Sequence, residues 1–165
     1  MLIDKFGYLK LIDYTFAKKI NDRTFTLCGT PEYIAPEIIK NEGHGFAVDW
    51  WCLGVLMFEM LVGITPFYGD SPKDIFSNIL KGKIYFPSDF NKSAKSLIKH
   101  ILTADLSRRY GNLKNGYLDI TKHRLFKDFD FIKLENKTLK SYYIPVIQNE
   151  NDFSNFKTNI KEKEY

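Results

Sequence analysis

The run AVDWWCLGVLMFEMLV, residues 47–62, decides the fold. It is apolar on nearly every face, so it is expected to be a helix buried all round at the centre of a domain rather than a surface helix. Asp49 and Glu59 interrupt it, and a membrane span needs about 20 consecutive apolar residues, so no transmembrane segment is expected here.

The flanks of this helix read as helical C-terminally and irregular N-terminally. Ser71-Pro72-Lys73-Asp74 has the form of a capped helix start, with Ser71 as N-cap, Pro72 at the first position and Asp74 reaching back. Ile75, Ile79 and Leu80 follow as one apolar face, and Gly82 stops the helix. From Ser93 to Thr103, Ala94, Leu97, Ile98, Ile101 and Leu102 recur at intervals of three and four, which predicts another amphipathic helix. Asn115-Gly116 marks a turn before a further segment, Leu118 to Phe126.

N-terminally, residues 13–46 are punctuated by Gly29, Pro31, Pro36, Gly43 and Gly45, with a short helix expected at Pro36-Glu37-Ile38-Ile39. A loop this long inside a domain is usually functional. Before it, Leu2-Ile3 and Tyr8 to Ile12 read as two short strands, with Gly7 closing the turn between them. After Phe126 the aromatics persist but helical periodicity is lost, which predicts an extended tail packed through its aromatics.

Composition excludes several classes. Charged residues make up 27% of the chain and the net charge is +4, but the lysines are dispersed among acids, so nucleic-acid binding is not inferred. Cys28 and Cys52 have neither metal-site nor disulfide spacing, which suits reduced thiols in the cytoplasm or nucleus. The N-terminus lacks the pattern of a signal peptide. His44, His100 and His123 are expected to be structural.

Three short segments in order carry the chemistry: Asp13-Tyr14-Thr15, Cys28-Gly29-Thr30-Pro31-Glu32-Tyr33 and Ala35-Pro36-Glu37. Their order and spacing resemble the second half of the protein kinase motif set. Arg23-Thr24-Phe25-Thr26-Leu27-Cys28, Val48-Asp49-Trp50-Trp51 and Arg109-Tyr110-Gly111-Asn112-Leu113-Lys114-Asn115-Gly116 narrow the resemblance. They are similar to the AGC group of Ser/Thr kinases and, within it, to the catalytic subunits of cAMP-dependent protein kinase. The resemblance covers essentially residues 1–156.

The fold it implies is mainly α: a kinase-like C-terminal lobe that opens on a small β-hairpin and ends in an extended tail, with the N-terminal lobe absent from these residues. Residues 1–126 would be a partial kinase domain and 127–165 a truncated AGC-type tail.

The resemblance also implies roles for individual residues. Asp13 would be a ligand of Mg²⁺ bridging the phosphates of ATP, the alternative being an aspartate that merely opens a turn. Tyr14 and Thr15 stand where the family has Phe and Gly. Leu2, Ile12 and Phe156 would contact the nucleotide, although Phe156 can equally be an apolar tail contact. Thr26 would be the activation-loop phosphosite, with Lys18 as a basic partner.

Leu27, Pro31 and Ile34 would form an apolar pocket for the residue after the phosphoacceptor, Thr30 would bond the catalytic aspartate, and Tyr33 would border bound peptide. Glu59 would meet an arginine upstream of the phosphoacceptor, a structural ion pair being its alternative. Asp49 would anchor the catalytic loop, and Glu37 with Arg109 would tie the activation segment to the lobe.

The implied function is ATP-dependent phosphorylation of proteins at Ser/Thr sites with basic residues upstream, with a cyclic-nucleotide-binding regulatory subunit as a further partner. No glycine-rich phosphate loop, no paired strand lysine and helix glutamate, and no His-Arg-Asp loop occurs in the 165 residues. By themselves they are therefore expected to be inactive. The competing reading is a non-catalytic lobe that captures basic peptides or a regulatory subunit.

Overall fold

A computed structural model describes residues 1–149 and 151–156. Their contacts divide into a larger unit, Phe16–Phe129, and a smaller one that joins Met1–Thr15 to the segment beginning at Asp130.

In the larger unit a 3-10 turn, Pro31–Tyr33, leads into helices α1 (Pro36–Ile39), α2 (Ala47–Val62), α3 (Pro72–Lys81), α4 (Lys92–Ile101) and α5 (Leu118–Thr121), followed by a second 3-10 turn, Arg124–Phe126. α2 has the bounds read from its sequence, but it is not buried all round. Its fully buried positions, Ala47, Trp51, Gly54, Val55 and Phe58, form one stripe, while Met60 and Leu61 are exposed. The stripe follows the partners: at Gly54 an added Cβ would lie 2.8 Å from Ile101 and Leu102, so glycine lets α4 approach the α2 backbone.

The main core gathers around that stripe. Trp51 stacks on Phe67 with ring centroids 5.5 Å apart, and Ile75, Ile79 and Ile98 join them in the cluster, with Ala35, Val55, Phe58 and Leu102. Burying each of these large side chains contributes about 1.5–3 kcal/mol. A second cluster joins Leu97, Ile101 and Ile120, with Leu125 and Phe126 packed against it.

Local signals account for the helix ends. Ser71 Oγ accepts the Asp74 N–H at 3.2 Å, and the Asp74 carboxylate reaches back to the Ser71 hydroxyl at 2.5 Å. Asn91 Oδ1 caps α4 by accepting from Ser93 and Ala94. Leu80 departs from expectation: it is exposed while Ile75 and Ile79 are buried, because one residue beyond Ile79 the helix has turned by about 100°. The expected segment Leu118 to Phe126 is broken at His123, whose extended backbone separates α5 from the second 3-10 turn.

In the smaller unit β1 (Leu2–Ile3) pairs antiparallel with β2 (Leu9–Lys10), in the register Leu2 to Lys10 and Ile3 to Leu9. The second strand is shorter than the expected Tyr8 to Ile12 because β1 offers two residues to pair with. Gly7, at φ 86°, turns the chain, and its N–H bonds the Asp4 carbonyl at 2.9 Å. The hairpin is tied to the tail by the Tyr8 hydroxyl on the Leu139 carbonyl at 2.7 Å and the Ser141 hydroxyl on the Gly7 carbonyl at 3.3 Å.

The tail is not wholly irregular. Helix α6 (Phe131–Glu135) begins where the Asp130 side chain accepts the Lys133 N–H. Its aromatics are only partly packed: Tyr142, Tyr143, Phe153 and Phe156 are exposed, whereas Phe131 is half-buried.

Candidate functional site

Three separate segments of the larger unit are held together by one buried ion pair and the bonds around it. Arg109 is fully buried, and its Nη1 and Nη2 donate to Glu37 Oε1 and Oε2 at 2.7 and 2.9 Å. Nε donates to the Thr103 carbonyl at 2.9 Å and Nη1 also to the Ala47 carbonyl at 3.1 Å. The guanidinium lies 5.1 Å from the Trp51 ring centroid, a cation–π contact that offsets part of its desolvation. The start of α1, the start of α2 and the loop after α4 thus converge on one side chain.

In the same unit, Tyr33 donates its hydroxyl to the Glu59 carboxylate in a short hydrogen bond. Burial, followed by this carboxylate, pushes the Tyr33 phenol up to about 12, so Tyr33 remains the donor at physiological pH. Cys52 Sγ holds the Tyr33 carbonyl at 3.4 Å, and its thiol is itself pushed up to about 11 by burial and then by Asp49. Among the described residues Glu59 has no ion-pair partner, so its companion is a neutral phenol and not the cation considered as the structural alternative. Its second lone pairs stay available to a ligand.

Of the residues expected to form the apolar pocket, Ile34 is buried in the core, while Leu27 is exposed and Pro31 half-buried. Thr30 and Thr26 are exposed. Lys18 does not meet Thr26: its Nζ donates to Thr24 Oγ1 at 2.9 Å. Thr24 also pairs with His44 through both backbone groups at 2.9 Å, which pins this part of the loop. Asp49 is exposed in the first turn of α2.

Leu2, Ile12, Asp13 and Phe156 all belong to the smaller unit and are exposed. Asp13 takes the left-handed conformation, φ 63°, uncommon outside glycine but tolerated by aspartate. Its Oδ1 accepts the Thr15 hydroxyl at 2.5 Å and the Thr15 N–H at 3.3 Å, and these bonds, the hydroxyl first, hold its carboxyl below the usual range. Phe156 lies 6.4 Å from Phe153, and both line a cavity of about 640 Å³ with Lys5, Pro145 and Ile147. Among the described residues no group of three His, Cys, Asp or Glu could hold a metal ion.

The sequence reading missed the Tyr33 to Glu59 link, the Cys52 support beneath it and the Lys18 to Thr24 contact. The first two join separate segments, so no spacing reveals them. Only the uncommon carboxylate in an apolar helix marked Glu59 as needing a partner.

The family model for the protein kinase domain matches residues 1–126. The chain is 52% identical over 163 residues to the cAMP-dependent protein kinase catalytic subunit of Dictyostelium discoideum, covering 99% of this chain and 25% of that protein. It is 51% identical over 158 residues to the human cAMP-dependent protein kinase catalytic subunit PRKX, covering 96% of this chain and 44% of that protein. It thus spans less than half the length of either relative. Matched by this family model and similar to such subunits over nearly its whole length, the chain belongs to the protein kinase family, close to the cAMP-dependent kinases.

Proposed function

We propose that the protein to which these residues belong is an ATP-dependent Ser/Thr kinase that phosphorylates proteins at sites preceded by basic residues. The observation that carries the specificity is Glu59: a carboxylate held by a neutral phenol, with no cation of its own among the described residues. An arginine guanidinium supplied by a substrate would complete it.

ATP and Mg²⁺ fit the residues present as part of a larger set. Mg²⁺ takes one or two carboxylates beside phosphates and waters, and Asp13 is an exposed carboxylate kept ionised by Thr15. The metal, when bound, supplies charge neutralisation on the phosphates. Asp13 would hold it and Leu2, Ile12 and Phe156 would offer apolar contact to the nucleotide. Thr15 orients the Asp13 carboxylate through Oδ1, which leaves Oδ2 for the metal.

Positioning and charge stabilisation account for most phosphoryl-transfer catalysis. A chain without the catalytic loop residues supplies neither in full, so transfer is a property of the whole protein and not of these 165 residues. Recruitment of a cyclic-nucleotide-binding regulatory subunit, phosphorylation of Thr26 and residence in the cytoplasm or nucleus belong to the same proposal.

The test is peptide phosphorylation by the whole protein. Glu59→Gln should raise KM for a peptide with arginine upstream of the serine by roughly tenfold to a hundredfold, the worth of a charge-assisted pair, while kcat stays within about twofold. An unchanged KM removes Glu59 from substrate selection.

A further inference from the structure

The phosphoryl-transfer reading makes no use of the surface where α4 meets the junction after α5. A cavity of about 650 Å³ opens there, with Ser96, His100, Tyr110, Asp119, Lys122 and His123 in its lining. His123 Nε2 lies 3.2 Å from the Ser96 hydroxyl, a pairing that elsewhere can serve as nucleophile and base. The backbone rules that out here. The Leu125 N–H donates to His123 Nδ1 at 3.2 Å, so Nδ1 is bare, Nε2 carries the proton, and the ring donates to Ser96 instead of accepting from it.

The same bond gives the imidazole another task. His123 caps the 3-10 turn Arg124–Phe126, a place usually filled by Ser, Thr, Asp or Asn, whose oxygens accept over most of the pH range. An imidazole accepts only while neutral, because both nitrogens become donors on protonation. The turn presents Leu125 and Phe126 to the Leu97, Ile101 and Ile120 cluster. We propose that His123 is an acid-sensitive latch: a proton on Nδ1 turns the acceptor of the Leu125 N–H into a donor and releases the turn from α4.

Its surroundings set the pH at which this happens. From α4, the His100 ring faces it at 6.4 Å, with Tyr110 stacked on His100 at 4.4 Å. From α5 and the junction come Asp119 and Lys122, and Arg124 is its neighbour in the chain. Asp119 Oδ1 is engaged by the Asn115 amide at 2.9 Å. Burial first, then Arg124 and His100, hold the His123 imidazole below its ordinary value. The folded state therefore binds fewer protons there than the unfolded chain. The latch is fully closed above the ordinary imidazole value of about 6.5 and opens as pH falls below it, through the lowered folded value.

Hydrogen exchange of the whole protein, read by mass spectrometry over peptides spanning residues 121–129 and corrected for the intrinsic pH dependence of exchange, tests this. Protection of this segment should fall by roughly fivefold between pH 7.5 and 5, about what loss of one cap costs, while α2 is unaffected. In His123→Asn, whose side-chain oxygen accepts at every pH, protection should be flat. His100→Gln keeps the cap and removes one neighbouring imidazole, so the fall should move to higher pH. Protection in the wild type that ignores pH, a fall that persists in His123→Asn, or a His100→Gln profile superimposable on the wild type would each overturn the latch.

Discussion

Arg109 and Glu37, 72 residues apart in the chain, meet as a fully buried two-pronged ion pair with N–O distances of 2.7 and 2.9 Å. Because the same guanidinium also takes the carbonyls of Thr103 and Ala47, it joins three segments that no helix or sheet connects. The segment that leads into α1, with Thr26, Leu27 and Thr30 exposed and Pro31 and Tyr33 half-buried, is joined through α1 to this contact.

Removing one partner leaves the other charge buried and uncompensated. Glu37→Gln in the whole protein should destabilise it by about 3–5 kcal/mol. Arg109→Lys should cost nearly as much despite keeping the charge, since an ammonium cannot span both carboxylate oxygens and two carbonyls. Urea denaturation checks both, and a loss under about 1 kcal/mol would mean the pair behaves like a surface bridge.

Gly54 sits where α2 and α4 touch, and its added Cβ would come within 2.8 Å of Ile101. Alanine has the better helix propensity by nearly 1 kcal/mol, but overpacking costs about 1–3 kcal/mol. Gly54→Ala should therefore lower the thermal midpoint. A raised midpoint would show that α4 yields without strain.

How much could be read in advance depended on the range of each signal. The bounds of α2 and the Ser71, Pro72 and Asp74 start of α3 are local, and they stand as read. The Arg109 to Glu37 pair was legible only through resemblance, since no periodicity joins residues that far apart. Leu80 was misplaced because a run of apolar residues does not say where the stripe ends. The break at His123 escaped because its cap is an imidazole, a type that carries no cap signal in a sequence. Helix α6 escaped because it is one short turn started by Asp130.

Tyr33 yields a pH dependence with a definite sign. Its phenol is pushed up to about 12 in the folded protein, whereas an unfolded tyrosine ionises near 10. Unfolding then releases a proton, so stability should fall as pH rises from about 10 to 12. Tyr33→Phe should flatten that part of the profile in alkaline denaturation curves; a slope identical to the wild type would place the ionisation elsewhere.

The measurement that bears most directly on the central claim is transfer of the γ-phosphate of ATP to a serine peptide with upstream arginines, compared between the whole protein, its Asp13→Asn variant and the 165-residue chain alone. The account predicts turnover by the whole protein, a loss of at least about a hundredfold in Asp13→Asn, and none above background from the 165 residues. Turnover by the short chain, or full activity in Asp13→Asn, would contradict it.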